Sequence, residues 1–231
     1  MAYSEHLKFK HPFTARVAGP TSSGKTSFVI KFISQYKLTT SIKKLTLNVL
    51  WCYGTWQNSY KSVENINIEY YEGLPDISTI QAYKPDLIVL DDLMFDIAKD
   101  ENAAKLFTMY SHHQGISVIF ITQNLTYKGK GIIEINRNTM YLVLFRNPRD
   151  TSMVNTVANQ VLRSNKRHFR EAFDDATKEP YGYLVVDCHQ TTPSEFLLKS
   201  KIIPDNGRTQ STVYFEKKTD IQKFKALYTP S

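Results

Sequence analysis

The sequence has little cysteine, no long apolar run and no internal repeat, and each shortage excludes a class of protein. Two cysteines, Cys52 and Cys188, stand far apart among 231 residues. This spacing excludes a disulfide-stabilised framework and a zinc site of clustered cysteines. No apolar run approaches the roughly 18 residues that cross a bilayer, and the N-terminus is polar rather than a secretion signal. We therefore expect a soluble, intracellular protein that does not associate with membranes.

The length and apolar content of the chain fit one globular domain. Hydrophobic residues make up 42% of the sequence, which is enough to fill one large core. No low-complexity segment indicates a linker. We expect residues 1–205 to form a single domain, and the more polar residues 206–231 to form a surface tail or arm.

Excess positive charge is confined to one region. Residues 126–170 contain nine Lys or Arg and two acidic residues, which accounts for the whole net charge of +7, and the rest of the chain is balanced. A basic region of this kind fits binding to a polyanion such as DNA. An ordinary solvated basic surface explains the charge equally well.

Short apolar runs alternate with segments of helical spacing. Strands are predicted at 13–18, 45–53, 66–71, 86–90, 116–121 and 140–145, with a further pair at 183–187 and 196–198 that extends the sheet. Helices are predicted at 27–36, at 98–113 and after Asp150 or Thr151. The alternation favours an α/β fold with a mostly parallel central sheet flanked by helices. Ligands in such sheets bind at the carboxyl ends of the strands.

A phosphate-binding loop signature follows the first predicted strand. Its residues are Gly19, Pro20, Thr21, Ser22, Ser23, Gly24, Lys25 and Thr26, followed by Ser27. The glycines let the backbone wrap around a phosphate, while N–H groups and the following helix N-terminus supply positive potential. Lys25 is then expected to reach the β- and γ-phosphates of ATP, and Thr26 to ligate Mg²⁺. A plain glycine-rich turn is the alternative interpretation.

Polar side chains end the two central strands predicted at 86–90 and 116–121. Asp91 follows four apolar residues and suits the carboxylate that holds Mg²⁺ and its water shell. Asp92 is the candidate base for the attacking water. Gln123 ends the next buried strand, where an amide could sense the γ-phosphate or position water. Acids at a strand end also often cap the next helix, so a structural role stays open for both aspartates.

Two further sets of residues are candidates for nucleotide contacts. Arg137, Arg146 and Arg149 flank the strand predicted at 140–145, and in an oligomer one of them could neutralise charge at a neighbouring subunit's nucleotide. A surface or DNA-facing role is the alternative for each arginine. Four aromatic residues either stack on a base or pack in the core: Trp51, Tyr53, Trp56 and Tyr60. The core is favoured for Trp51, and both roles stay open for Trp56.

The order of these motifs resembles the FtsK–HerA superfamily of DNA-pumping ATPases. The shared order is a phosphate loop, a strand ending in Asp-Asp, a strand ending in Thr-Gln and a strand followed by arginines. More narrowly, segments 51–57, 111–125, 145–150 and 180–183 are similar to the packaging ATPases of Polinton and adintovirus-type elements and their viral relatives. The resemblance spans roughly 13–204.

The resemblance implies a P-loop NTPase fold of the additional-strand, RecA-like type. It also implies a ring, often a hexamer, which uses ATP and Mg²⁺ to thread double-stranded DNA into a capsid in a host cell or at the virion vertex, with capsid proteins as further partners. By motif position Lys25 and Thr26 bind nucleotide and Mg²⁺, Asp91 is the Walker B aspartate and Gln123 is the sensor.

Two positions depart from the superfamily pattern. Many members have Glu where this chain has Asp92, whose reach is shorter. The superfamily's trans-acting arginine aligns with Met140, so Arg146 and Arg149 are selected here by proximity alone.

Two other functions fit the same phosphate loop. A small-molecule phosphotransferase, such as a nucleoside or nucleotide kinase, could use the basic segment 163–167 as a lid, although a Thr-Gln strand end is not expected there. A nucleotide-gated scaffold without turnover fits the sequence if Asp92 is only a helix cap.

Overall fold

Ten strands form one continuous mixed sheet in the computed structural model, which describes residues 3–58, 60, 66–99, 114–125, 129–205, 210–216 and 221–225. The strands are β1 (Thr14–Ala18), β2 (Leu47–Tyr53), β3 (Ile66–Glu72), β4 (Leu87–Asp91), β5 (Ser117–Thr122), β6 (Tyr141–Phe145), β7 (Tyr183–Asp187), β8 (Leu198–Ser200), β9 (Thr212–Glu216) and β10 (Ile221–Lys225). Their order across the sheet is β10-β9-β8-β7-β6-β1-β5-β4-β2-β3. The six strands from β6 to β3 are parallel, and each strand from β7 to β10 is antiparallel to the one before it.

Helices pack on both faces of this sheet. Those within the described residues are α1 (Lys25–Ser34), α2 (Tyr36–Thr39), α3 (Ile77–Tyr83), α4 (Met94–Lys99), α5 (Lys130–Asn138), α6 (Ser152–Val161) and α7 (Lys166–Ala176). Two short 3-10 helices lie at Tyr3–Leu7 and Ser194–Phe196. None of the described helices combines the length and the apolar character that a membrane span needs.

Alternating strand residues fill separate cores above and below the sheet, because successive side chains of a strand point to opposite faces. Val17 of β1 and Val89 of β4 share a core with Phe28 and Phe32 of α1. Phe120 of β5 lies in the opposite core, which is closed by apolar residues of α3, α4 and α5. Helices α6 and α7 cover the same opposite face further along the sheet. Both faces are buried, which explains why the central strands read as continuous apolar runs.

The predicted α/β class with a mostly parallel core is confirmed. Strand β5 lies between β1 and β4, which is the extra strand expected of an additional-strand P-loop NTPase. The predicted strand pair near the C-terminus forms as β7 and β8, with Val186 opposite Leu198. Most of the helix predicted at 98–113 lies outside the described residues.

The segment expected to be a polar tail differs from that prediction. Strand β9 pairs with β8 and is followed by β10, so the sheet continues past residue 206. Val213 and Tyr214 are buried, and the Tyr214 hydroxyl donates to Asp175 Oδ2 at 2.9 Å. Burial against β8 and α7, rather than the composition of the segment, therefore decides its structure.

A fully buried ion pair ties the antiparallel strands to the N-terminal segment. Lys199 in β8 is completely buried, and its Nζ donates to Asp187 Oδ2 at 2.6 Å and to the carbonyl of His6. Asp187 also accepts a hydrogen bond from the Thr192 hydroxyl at 2.9 Å. Because buried charges are tolerated only when they are paired and hydrogen-bonded, this arrangement holds three segments in one geometry.

Candidate active site

The predicted phosphate loop connects β1 to α1 and is shaped by its backbone. The Gly19 N–H donates to the Thr122 carbonyl at 3.3 Å, and the Ser23 N–H donates to the Pro20 carbonyl at 3.2 Å. Gly24 precedes α1 with φ 95°, a left-handed conformation that a residue without a Cβ adopts at least cost. These bonds hold the loop in a tight arch over the N-terminus of a ten-residue helix.

Gly19 is required by close packing as well as by the loop signature. A Cβ placed on Gly19 would lie 2.6 Å from the Cβ of Phe145, at the end of β6, and 2.9 Å from Ser23 Oγ. A larger residue would push the loop away from β6. The first glycine therefore fixes the distance between the loop and the sheet.

Lys25 occupies the interior of the arch. Its Nζ donates to the Pro20 carbonyl at 2.8 Å, across the loop from its own backbone. Partial burial lowers the pKa of the Lys25 ammonium, while the nearby carboxylates of Asp91 and Asp92 act in the opposite direction. The ammonium is thus only partly solvated and faces the loop interior, where a bound phosphate would be a stronger acceptor than the carbonyl.

Asp91 ends β4 and is 3% exposed beside the loop. Its Oδ2 accepts hydrogen bonds from the Thr26 hydroxyl at 3.2 Å and from the Tyr60 hydroxyl at 3.0 Å. Burial raises the pKa of Asp91 to about 6, against the opposing effect of these two donors and of Lys25. A carboxylate that is buried, only partly compensated and adjacent to a threonine hydroxyl is a suitable ligand for a divalent cation.

Asp92 has a different environment from its neighbour, since its side chain is exposed and its backbone has φ 58°. The turn that follows β4 at Asp92 contacts Gly54, whose N–H donates to the Asp91 carbonyl at 3.0 Å. A Cβ on Gly54 would lie 2.7 Å from the Asp92 carbonyl oxygen. The structure therefore separates the two aspartates into a buried carboxylate and an exposed one at the same strand end.

The predicted sensor position directly follows β5, the strand between β1 and β4. Gln123 follows β5 and is exposed, whereas the preceding Thr122 is buried and its hydroxyl donates to the Asn124 carbonyl at 2.9 Å. Arg16 Nη2 also donates to the Asn124 carbonyl, at 3.2 Å. Arg16 is completely buried in β1, with its guanidinium 5.5 Å from the centre of the Phe120 ring. Arg16 in β1, the strand that leads into the phosphate loop, thus holds the backbone next to Gln123 in place.

The candidate arginines lie at opposite ends of the sheet. Arg146 directly follows β6, and Arg149 follows shortly after, so both are exposed near the edge that carries the phosphate loop. Arg137 lies in the last turn of α5, next to Asn138, whose carbonyl accepts a bond from the Thr14 hydroxyl at the amino end of β1. Only Arg146 and Arg149 therefore share an edge with Asp91. The described cations of the 126–170 region are all exposed but occupy elements at both ends of the sheet.

Two tyrosines lie at the site although no sequence motif predicts their contacts there. Tyr60 was expected either in the core or on a base; its ring is buried in the core, and its hydroxyl also contacts Asp91. Its ring also packs against the half-exposed Trp56, with centroids 5.2 Å apart. Tyr181 is 71% exposed beside Gly24, so that a Cβ on Gly24 would lie 3.0 Å from Tyr181 Cδ1. Neither tyrosine lies at a characteristic sequence distance from the phosphate-loop signature or from Asp91, so the motifs do not predict either contact.

The residues present suit a nucleoside triphosphate with Mg²⁺. Ser23 Oγ is buried in the loop and has no hydrogen-bond partner among the described residues, which leaves a polar atom to be satisfied by a ligand. The arch supplies backbone N–H groups, the ammonium of Lys25 and the hydroxyl of Thr26. The carboxylate of Asp91 lies next to that hydroxyl and would suit a divalent cation.

Comparisons with known proteins identify the fold. No protein-family model and no curated protein matches the chain. Among solved structures, the DNA-packaging ATPase B204 from Sulfolobus Turreted Icosahedral Virus aligns with a TM-score of 0.52 and 11% identity, over 77% of this chain and 93% of that chain. The genome packaging NTPase B204 from Sulfolobus turreted icosahedral virus 2, in complex with ATP-gammaS, aligns with a TM-score of 0.51 and 10% identity, over 77% and 93% of the two chains. At this identity the likeness shows a shared P-loop NTPase fold.

Proposed function

We propose that the chain is an ATP-hydrolysing motor that moves double-stranded DNA, in the manner of a viral genome-packaging ATPase. The observation that carries the proposal is the convergence of Lys25, Thr26 and Asp91 at one sheet edge, with Gln123 on the strand between the loop and Asp91. That the B204 proteins are packaging enzymes supports this choice among P-loop ATPases. The resemblance to Polinton and adintovirus-type elements favours a virus-like genome as the cargo.

Each residue then has a role that follows from its surroundings. Lys25 would leave the Pro20 carbonyl and bind the β- and γ-phosphates, while the loop N–H groups bind the phosphate oxygens. Thr26 and Asp91 would hold Mg²⁺, which when bound neutralises charge that develops on the phosphates. The exposed Asp92 would accept a proton from the attacking water, and Gln123 would orient that water.

The arginines suggest how turnover depends on assembly. Arg146 and Arg149 extend from the loop edge into solvent, where they could reach a nucleotide on a neighbouring subunit. A ring, with a hexamer favoured, would bring this edge of one subunit against the next. The remaining exposed cations of the 126–170 region would contact DNA phosphates, and such contacts weaken as salt rises.

The test is ATP turnover per subunit, measured against protein concentration with and without duplex DNA. The native protein is compared with Arg146→Ala, Arg149→Ala and Arg137→Ala; the last alters an exposed arginine at the opposite edge and controls for the loss of a DNA-contacting charge away from the nucleotide. We expect turnover to rise with protein concentration and with DNA, and at least one of the first two variants to lose turnover while it keeps ATP affinity.

Mixing variants separates action across an interface from action within one subunit. In rings mixed with Asp92→Asn, some interfaces combine an intact arginine with an intact aspartate, so turnover should return. Turnover that is independent of concentration and DNA would contradict the proposal. Phosphate transfer that requires an added nucleoside would indicate a phosphotransferase, and ATP binding without turnover would indicate a nucleotide-gated scaffold.

A further inference from the structure

The turn before β7 lies beside the phosphate loop although it is far from the loop in sequence. Strand β7 is antiparallel to β6 and pairs Tyr183 with Phe145, so its first residue is at the carboxyl end of β6. Phe145 is also the residue against which Gly19 packs. The turn formed by Pro180, Tyr181 and Gly182 therefore flanks the loop on the side away from β4 and β5.

The backbone of this turn is held in one conformation. The Gly182 N–H donates to the Glu179 carbonyl at 3.0 Å, and a Cβ on Gly182 would lie 2.5 Å from the Ala176 carbonyl oxygen at the end of α7. Tyr181 has φ 61°, which is unfavourable for a bulky side chain. A strained backbone of this kind persists where surrounding structure enforces it, and such residues cluster at ligand sites.

The Tyr181 ring is both exposed and in contact with the loop. It is 71% exposed, yet one edge lies against Gly24, the residue before Lys25. Burial of the ring in the core does not explain the strained conformation, since most of the ring remains in solvent. A large aromatic face is thus presented to solvent at the rim of the phosphate loop.

The Tyr181 ring lies on the side of the phosphate loop that the base of a bound nucleotide would occupy. The γ-phosphate and Mg²⁺ end is marked by Asp91, which touches Thr26 on the β4 side of the loop. A triphosphate that follows the loop from there leaves its ribose and base on the far side of Lys25. That side is bordered by β6 and by the turn that carries Tyr181.

We propose that Tyr181 is the platform on which the base of the bound nucleotide stacks. This inference rests on the proposed nucleotide function and adds the residue that binds the base. Every nucleobase has a π face, and stacking on an aromatic side chain is tolerant of base identity. The site should therefore take nucleoside triphosphates with little discrimination among their bases, because stacking does not select a base by hydrogen bonds to its edge.

The test compares ligands with and without a base. Binding of Mg²⁺-ATP and of Mg²⁺-tripolyphosphate is measured by calorimetry on the full chain, native and with Tyr181→Ala, Tyr181→Phe or the control Leu45→Ala. Leu45 is exposed and lies before β2, at the opposite end of the sheet. Tyr181→Ala should weaken ATP about 10-fold to 100-fold and leave tripolyphosphate unchanged. Tyr181→Phe and Leu45→Ala should bind both ligands as the native protein does.

Other outcomes overturn the inference in distinguishable ways. Equal weakening of ATP and tripolyphosphate by Tyr181→Ala would mean that the ring only supports the loop. Unchanged ATP affinity in that variant would mean that the base lies elsewhere. If the native protein binds neither ligand, the proposed function fails together with this inference.

Discussion

Replacing the buried carboxylate of Asp91 by an amide should stabilise the nucleotide-free protein while removing its Mg²⁺-dependent turnover. Burial raises the pKa of Asp91 from its ordinary value of 3.8 to about 6. For a carboxyl group whose pKa is higher in the folded state, folding favours the protonated form. The stability that this form contributes is complete below about pH 4 and is lost as pH rises through 6.

The magnitude of the stability change follows from the pKa shift of Asp91. A difference of about two pKa units corresponds to about 3 kcal/mol at pH 7 and above. Asparagine is neutral at every pH and retains one oxygen to accept bonds from Thr26 and Tyr60. Asp91→Asn should therefore exceed the native protein by up to about 3 kcal/mol at pH 8, or roughly 6–12 °C in Tm for a chain of this length.

The assay is thermal unfolding from pH 4 to pH 8 without nucleotide and with a chelator of divalent cations. Asp92→Asn is the matched control, because it makes the same chemical change at the adjacent but exposed position. Because this variant keeps the buried Asp91 carboxyl, its Tm should stay close to the native value at every pH from 4 to 8. An Asp91→Asn variant that is no more stable than the native protein at pH 8, or whose advantage does not grow between pH 4 and pH 7, would refute a raised pKa at Asp91.

Two further predictions concern contacts within the described residues. Tyr60→Phe removes a hydrogen-bond donor to Asp91 that lowers the pKa of this carboxyl. The acidic limb of the plot of kcat/KM against pH should therefore move upward by about one pH unit. An acidic limb that does not move would contradict this role of Tyr60. Asp187→Ala leaves the Lys199 ammonium buried without its carboxylate and should cost about 3–5 kcal/mol in urea unfolding. Lys178→Met breaks an exposed pair and should change the unfolding midpoint little, so similar losses in both variants would argue against a special cost at Lys199.

The central fold was predictable because its signals are local. Each central strand is buried on both faces and therefore appears as an apolar run, as at Leu87–Asp91 and Ser117–Thr122. Strand β9 has only the short apolar run 213–215 within a polar segment, and its burial comes from its neighbour β8 and from the contact of Tyr214 with Asp175. Partners that are distant in sequence bury that segment, and the polar residues around its short apolar run do not identify them.

The difference between local contacts and contacts with distant segments also decides which parts of the candidate site were predictable. The phosphate loop is recognisable because contiguous residues make most of its contacts, including the bond from Lys25 to Pro20. Tyr60 meets Asp91 through a loop whose path the sequence does not define, and Tyr181 meets Gly24 only because β7 reverses beside β6. Arg137 and Arg146 were grouped as candidates because both flank β6 in the sequence. In the structure they lie at opposite ends of that strand.

The position of β1 in the middle of the sheet has a consequence for protein synthesis. The strand that leads into the phosphate loop emerges early from the ribosome, but it pairs with β5 and β6, which are made about 100 residues later or more. The carbonyl that anchors Gly19 belongs to Thr122, and its packing partner is Phe145. A nascent chain that ends before β5 would contain the complete loop signature without either partner, and one that ends before β6 would still lack Phe145. Nucleotide capture would then begin only after the polypeptide has been extended past Phe145.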